Sequence, residues 1–430
     1  MIHRGDLFDV LPTLAENSVD ACVTDPPYGI GFMGKEWDSF KPGKGEARIL
    51  PNRAIESDNP NLKGRTRGPA SSPSAVEYDR SVKGQREFQA WSERWGREVL
   101  RVLKPGAYVL VCGAPRSYHR MACGLEDAGF VVRDCLSWLY GQGFPKSLNL
   151  GNGKGTALKP GWEPIVLAWK PFKGTTTDCH AKHGTAALNI DACRLAFSGP
   201  EDAAAAAAAQ RTSHNGLQGT STFARTGDVQ KSIDGYLGRM DLGRWPANVL
   251  LDEEAAAMLD EQTGELISGQ PCGIKAGGQG NAFGHYEGGI PVTGFGDNGG
   301  ASRFYYVAKP SREERDYGTR GMPKQDNCDI SGRTPGGAGL NSPLAGAMRT
   351  SAAGNFHPTV KPVELMRWLV KLVTPPGGTV LDPFMGSGTT GMACQYEQRQ
   401  FIGIEREAGY VQIAERRIAA VAPLFAERVV

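Results

Sequence analysis

Asp25-Pro26-Pro27-Tyr28 and Asp382-Pro383-Phe384-Met385-Gly386-Ser387-Gly388-Thr389-Thr390 stand at opposite ends of this chain, and each joins a carboxylate to residues suited to holding a small molecule. In the first, Asp25 offers one hydrogen-bond acceptor. The prolines fix φ and donate no N–H, so the Pro26 carbonyl is a second acceptor on a stiff turn. Those are the groups that an exocyclic amine needs. Its nitrogen lone pair is delocalised into the ring until its hydrogens are accepted and it is held in line with an electrophile. Tyr28 adds a ring on which an extruded base can stack. A plain surface turn would use the same four residues; their position after a strand-like run favours the chemical reading.

The second stretch contains a literal GxGxxG, Gly386 to Gly391, with Glu405 beyond it. That spacing alone is also a dinucleotide fingerprint, with the acid on a ribose hydroxyl. Asp382 shifts the balance, because its carboxylate would repel a pyrophosphate and attract a cationic amine. S-adenosylmethionine carries both an ammonium for Asp382 and a carboxylate for the helix N-terminus after Gly388. Glu405 would then take the ribose hydroxyls.

Elements able to position these residues are legible around both. Val19–Thr24 reads as a strand feeding Asp25, and Phe88, Trp91, Trp95, Val99 and Val102 share a helical face. Lys104-Pro105-Gly106 stops that helix before a buried strand over 107–112, with further strands expected at 130–138 and 164–169. In the C-terminal part, 363–373 reads as a helix, 379–381 as a strand, 389–395 as a helix and 401–404 as a strand, before a closing amphipathic helix on Tyr410, Ala414, Ile418 and Val421. Strands separated by helices of this length mean parallel βαβ units. Ligands of such sheets bind at the strands' C-terminal edge, where Asp25 and Asp382 both fall.

Between the two parts, residues 171 to about 350 are rich in Gly, Ala, Ser and Asn and lose periodicity. Ser198 to Ala209 reads as a capped short helix, Arg244 to Leu251 as a denser island, and 277–300 and 332–353 as loops. The expected division is 1–170, an insert over 171–350, and 351–430. A segment over about 33–86 is basic, with seven basic and three acidic residues from Lys41 to Arg67, and reads as a solvated loop or as a mobile strap on phosphates.

Composition narrows the class without deciding it. Hydrophobic content of 40%, charged content of 22% and a net charge of +2 are ordinary for a globular protein. No apolar run approaches a membrane span, and nothing near Met1 resembles a signal region. Nine dispersed cysteines without a CxxC suggest free thiols in a reducing cytoplasm.

Taken together, the two motifs resemble the β-class, circularly permuted DNA amino-methyltransferases of the N6-adenine/N4-cytosine family, in which the catalytic motif precedes the cofactor motif. The likeness covers 1–170 and 300–420 well. Ile2-His3-Arg4-Gly5-Asp6 is similar to the family's opening strand, which places Asp6 near the cofactor adenine. His357-Pro358-Thr359-Val360-Lys361-Pro362 is similar to the segment lining the methionine pocket, and Arg303 to Pro310 is similar to phage and prophage members.

The resemblance implies an S-adenosylmethionine-dependent, Rossmann-like, mostly parallel sheet carrying a target-recognition insert. It also implies a catalytic set of Asp25, Pro26, Pro27 and Tyr28. The implied cofactor set is Asp6, His357, Thr359, Lys361, Asp382, Phe384, Gly386, Ser387, Gly388, Thr389 and Glu405. The substrate would be double-stranded DNA and the target adenine N6, since the family uses Asp before Pro-Pro-Tyr mainly for adenine. Cytosine N4 is the alternative. A homodimer and a partner restriction endonuclease stay open.

Other constellations are weaker. Cys179, His180, His183 and Cys193 match no zinc-finger spacing, and no metal site is assigned. Trp37, Trp162, Trp169 and Trp245 suit core plugs as well as base stacking, and Arg244 with Trp245 is the pair best suited to reading DNA. A nicotinamide oxidoreductase built on the same glycines lacks a proton relay near Asp25. A silent DNA-binding scaffold has no reason to keep Asp25-Pro26-Pro27-Tyr28 intact.

Overall fold

A computed structural model describes residues 1–29, 82–141, 149–197, 242–267, 298–308, 313–323 and 354–421, with isolated short pieces between 199 and 291. The chain forms two compact units, one of residues 1–189 and 308–430, the other of residues 190–307. The basic segment up to Ser81, the run of alanines after Ala203, Trp37 and the loop over 332–353 lie outside the described residues.

The larger unit is built on strands β1 (Ile2–Arg4), β2 (Val19–Thr24), β3 (Leu103–Cys112), β4 (Val131–Leu139), β5 (Trp162–Trp169), β6 (Thr379–Asp382) and β7 (Gln400–Glu405). Their order across the sheet is β1-β7-β6-β2-β3-β5-β4. Pairing is parallel from β1 to β3, and β5 runs antiparallel to both its neighbours. The fold is therefore a mixed, mostly parallel, Rossmann-like α/β sheet. Ala107, Val109 and Val111 belong to one apolar cluster, while Leu110 on the opposite face of β3 is equally buried. Both faces of β2 and β3 are covered, which is why these two strands read as apolar runs rather than alternating ones.

Six helices supply the cover: α1 (Val82–Val102), α2 (Tyr118–Asp127), α3 (Thr176–His183), α4 (Val363–Val373), α5 (Thr389–Tyr396) and α6 (Ala408–Val421). The expected apolar face of α1 is the buried one, through Phe88, Trp95, Val99 and Val102. Trp95 alone, fully buried, contributes about 2–3 kcal/mol. α2 packs on α1, while α4 and α6 flank α5.

Chain direction fixes where a ligand can sit. From β6 the chain passes through α5 to β7 on one side. From β2 it passes through α1 to β3 on the other. Neighbouring β6 and β2 are thus the switch point, and the crevice outside their C-terminal ends is where open α/β sheets bind ligands. Val380 and Leu381 pair with Ala21 and Cys22, so Asp382 and Thr24 end the two strands side by side.

Two boundaries differ from expectation. Pro105 and Gly106 lie inside β3, whose pairing with β2 shifts register between Val19 and Ala21 to accommodate them. The second compact unit, 190–307, is also narrower than the 171–350 insert. Residues 171–189 carry few apolar side chains yet are tied to the sheet through polar groups. Asn189 Nδ2 donates to the Lys371 and Thr374 carbonyls at 2.8 and 2.7 Å, and Cys179 is buried with Sγ 3.4 Å from the Pro105 carbonyl. Residues 313–323 likewise pair with 354–357.

Within the smaller unit, the strand Val249–Asp252 leads into a helix over Glu253–Thr263, capped by Asp252 Oδ1 accepting the Ala255 N–H at 2.7 Å. Arg244 stacks over Phe197 and Phe304 at 4.9 and 5.2 Å, and Arg194 stacks over Trp245 at 5.4 Å. Trp245 remains half exposed. Among the described residues no helix is long and apolar enough to cross a membrane, and no His/Cys/Asp/Glu group could hold a metal.

Candidate active site

Asp25 leaves β2 at the switch point, followed by Pro26 and Pro27. Gly29 then turns the chain at φ +65°, where a Cβ would fall 2.8 Å from the Phe88 ring. Ser117 Oγ donates to the Tyr28 carbonyl at 2.6 Å and fixes the turn against α2. The Tyr28 hydroxyl donates to Asp25 Oδ1 at 2.6 Å, and Lys361 Nζ donates to Asp25 Oδ2 at 2.9 Å and to the Tyr28 oxygen at 2.8 Å.

A further carboxylate completes the group. Glu163, at the start of β5, lies 3.2 Å from Lys361 Nζ and 3.3 Å from the Tyr28 hydroxyl. Burial, with Asp25 and Glu163 close by, raises the Tyr28 phenol well above its usual range, so it stays protonated. Burial lowers the Lys361 pKa, but Asp25 and Glu163 outweigh it and the ammonium is held more firmly than in water.

Asp382 is the anchor of the second motif. Its carboxylate is 2% exposed and accepts three hydrogen bonds. Thr24 Oγ1 and Thr390 Oγ1 donate at 2.6 Å each, and the Phe384 N–H donates at 3.1 Å. Burial pushes its pKa up to about 6 against these donors, and Asp25 adds to the rise. The Thr24 bond links the ends of β2 and β6 directly across 358 residues of sequence. Phe384 packs on Trp91 and Trp95, ring centres 5.5 Å from each.

The loop that follows is shaped by two left-handed glycines. Gly386 (φ +52°) passes so close to His357 that a Cβ would lie 2.8 Å from Nε2, and Gly388 (φ +80°) would clash with Ala414. Glu405 sits beneath the loop, accepting the Gly386 N–H at 2.9 Å and the Glu407 N–H at 2.8 Å, and its burial raises its pKa. His357 Nδ1 bonds the Thr359 carbonyl, which can only accept, so the proton sits on Nδ1 and Nε2 faces Gly386 bare. Burial lowers its pKa to about 4. Asp6 accepts the Phe8 N–H at 2.9 Å, capping the turn after β1, which pairs with β7 at Glu405.

The structure thus gathers Asp25, Tyr28 and Lys361 into one group, and Asp382, Gly386, Ser387, Gly388, Thr389, Glu405 and His357 into an adjoining loop. Lys361, expected in the cofactor pocket, contacts Asp25. Sequence reasoning missed Glu163 and Arg417. Arg417 is fully buried under the loop, with Nη1 donating to the Ser387 carbonyl at 2.7 Å, Ser387 Oγ at 3.0 Å and Thr389 Oγ1 at 3.2 Å. Its signal was available: position 417 falls on the stripe of Ala414, Ile418 and Val421. His180 Nδ1, weighed as a metal ligand, contacts the Thr185 carbonyl at 2.9 Å.

A doubly wound sheet with a glycine loop over one carboxylate and a second acidic group across the switch point defines a nucleoside-cofactor α/β protein. The family model described as "DNA methylase", that of the N6/N4 methyltransferases, matches residues 19–416, and the chain belongs to this family.

Among curated relatives, the Type II methyltransferase M.HindIII of Haemophilus influenzae is 28% identical over 206 residues, 44% of this chain and 64% of that protein. M.Cfr9I of Citrobacter freundii is 38% identical over 119 residues, 27% of this chain and 33% of the relative. The chain thus spans under two thirds of the length of either. Solved structures with similarity include the PvuII DNA methyltransferase, titled cytosine-N4-specific, at 14% identity and TM-score 0.42, covering 97% of this chain and 85% of that one. The M1.HpyAVI–SAM complex matches at 16% identity and TM-score 0.36, covering 97% and 98%.

Proposed function

We propose that this protein binds duplex DNA, extrudes an adenine and methylates its N6 amine with S-adenosylmethionine, as a circularly permuted member of its family. One observation carries the reading. The Thr24–Asp382 hydrogen bond joins the ends of the two motif-bearing strands at the switch point, so an amine at Asp25 and a cofactor on the glycine loop would be neighbours.

The loop's donor set fits that cofactor. Two carboxylates, Asp382 and Glu405, suit an ammonium and ribose hydroxyls and disfavour a pyrophosphate. The φ +52° at Gly386 bares backbone over Glu405. When bound, S-adenosylmethionine supplies an electrophilic methyl on a sulfonium. Asp382 contributes charge from beneath, since Thr24, Thr390 and Phe384 already occupy it, while Glu405 takes the hydroxyls and Arg417 holds Ser387 and Thr389 in place. His357 and Thr359 wall the loop, with Asp6 near the adenine end.

At the other motif, Asp25 and the Pro26 carbonyl accept the amine hydrogens and localise the nitrogen lone pair, and the Tyr28 ring stacks on the base. Asp25 need not be a strong base, because the methylated amine loses its proton readily. Adenine is assigned because Asp precedes Pro-Pro-Tyr. The smaller unit, with Arg194, Arg244 and the half-exposed Trp245, is assigned to target recognition.

The test is expression in a methylation-free bacterial host, followed by sequencing that reports modified bases. N6-methyladenine in one sequence context is expected. N4-methylcytosine would retain the mechanism and change the base. An unmodified genome from folded, cofactor-binding protein would overturn DNA as the substrate. Asp25→Ala should abolish methylation and leave cofactor affinity within a few-fold; activity within tenfold of wild type would refute the role of Asp25.

A further inference from the structure

Lys361 occupies the place that an amine substrate needs. Its three ammonium hydrogens are spent on Asp25 Oδ2 at 2.9 Å, the Tyr28 oxygen at 2.8 Å and Glu163 Oε2 at 3.2 Å. With Tyr28 on Oδ1, both oxygens of Asp25 are engaged. Each oxygen keeps a further lone pair, so a base amine reaches Asp25 in competition with these donors for room at the carboxylate. Glu163 Oε2 lies 3.3 Å from the Tyr28 hydroxyl and 3.2 Å from Lys361 Nζ, and of these two donors only the ammonium carries a charge that the carboxylate balances.

We propose that Glu163 is a positioning residue that receives the Lys361 ammonium when the base amine takes its place on Asp25. This inference rests on Asp25 being the amine acceptor, as proposed above. The Lys361 side chain is 11% exposed and those of Glu163 and Asp25 are 22% and 21% exposed, so the exchange happens largely out of water. An ammonium leaving Asp25 there needs a counter-charge at once, because an unpaired buried charge is strongly disfavoured. Glu163 provides it within a small swing of Nζ. Without the Glu163 charge, Lys361 stays on Asp25 and competes with the amine.

The placement also explains why a carboxylate opens an otherwise apolar strand. Glu163 is the second residue of β5, and the next residues, Pro164 to Ala168, are all buried. The antiparallel direction of β5 beside β3 brings this N-terminal residue to the edge where β2 ends. A carboxylate at the far end of β5 would be out of reach.

The experiment compares Glu163→Gln, an isostere without charge, with Glu163→Asp, which is shorter but charged. Methyl transfer to unmethylated genomic DNA is measured with labelled S-adenosylmethionine, and cofactor affinity by titration calorimetry. Glu163→Gln should lower kcat about 30-fold, the scale of one charge-assisted hydrogen bond, with cofactor affinity within two-fold of wild type. Glu163→Asp should recover much of the rate.

A structural role predicts the reverse ranking, since Gln preserves shape and Asp does not. Glu163→Gln at the wild-type rate, or Asp less active than Gln, overturns the inference. If Glu163→Gln fails to fold, the double variant Glu163→Gln with Lys361→Met removes the charge together with its counter-charge. It should fold and match Lys361→Met alone; a rate tenfold lower overturns the inference. An active Asp25→Ala would sink the functional reading instead, whichever way Glu163 behaves.

Discussion

Replacing Thr24 with Val removes one of the three donors on Asp382 while preserving shape. Thr24 is fully buried and its Oγ1 lies 2.6 Å from Asp382 Oδ1. Burial has already raised that carboxyl to about 6, against the lowering effect of this bond. A hydrogen bond to a charged group contributes about 1.5–3 kcal/mol, and its loss moves the titration of Asp382 up into the neutral range.

The sign then follows. A carboxyl whose folded pKa exceeds its unfolded value binds protons more tightly when folded, so the variant's deficit grows as pH rises. It should be about 2 kcal/mol at pH 8.5 and about 1 kcal/mol at pH 6.5, by urea unfolding at each pH. Cofactor affinity, measured by calorimetry over the same range, should fall on acidification at higher pH in the variant than in wild type. A deficit independent of pH, or none, would refute the account of Asp382 as a buried carboxylate kept ionised by its donors.

Two further outcomes follow from the loop. His357 is held neutral, its pKa lowered to about 4 by burial, so the stability it lends is present above pH 6.5 and lost as pH falls from there towards 4. Asp382 changes stability in the opposite sense over about the same range. His357→Gln should therefore raise stability at pH 5 relative to pH 7 by more than wild type does, by about 2 kcal/mol in thermal or urea melts, and an unchanged pH profile would refute this. Gly386→Ala places a Cβ 2.8 Å from His357 Nε2 at φ +52°, and should cost about 1–3 kcal/mol and weaken cofactor binding at least tenfold by calorimetry. Wild-type affinity in that variant would place the cofactor elsewhere.

The parts of this fold that sequence made legible share one property: their signals are local. Val19–Thr24, 363–373 and the strand before Asp382 were readable because both-sided burial writes itself as an unbroken apolar run, and one-sided burial as a helical stripe. The glycine loop was readable because left-handed φ and close approach to His357 and Ala414 demand glycine at 386 and 388. The reach of the insert was not. Residues 171–189 join the sheet through backbone and amide hydrogen bonds that leave no hydrophobic period.

What sequence hid at the site is a matter of strand direction. Whether the residue at the start or the end of Trp162–Trp169 faces the switch point depends on whether that strand runs with β3 or against it, and nothing in its apolar run from Pro164 to Trp169 records the choice. Antiparallel pairing puts Glu163 beside Asp25, and so turns a two-residue contact between Asp25 and Lys361 into a group of two carboxylates sharing one ammonium. Resemblance groups Lys361 with the cofactor because its sequence neighbour His357 lies against Gly386, and the fold shows that the Lys361 side chain reaches Asp25. Chemistry that depends on an exchange of partners between two strands is therefore written in topology, and the charge at position 163 is where topology can be tested by substitution.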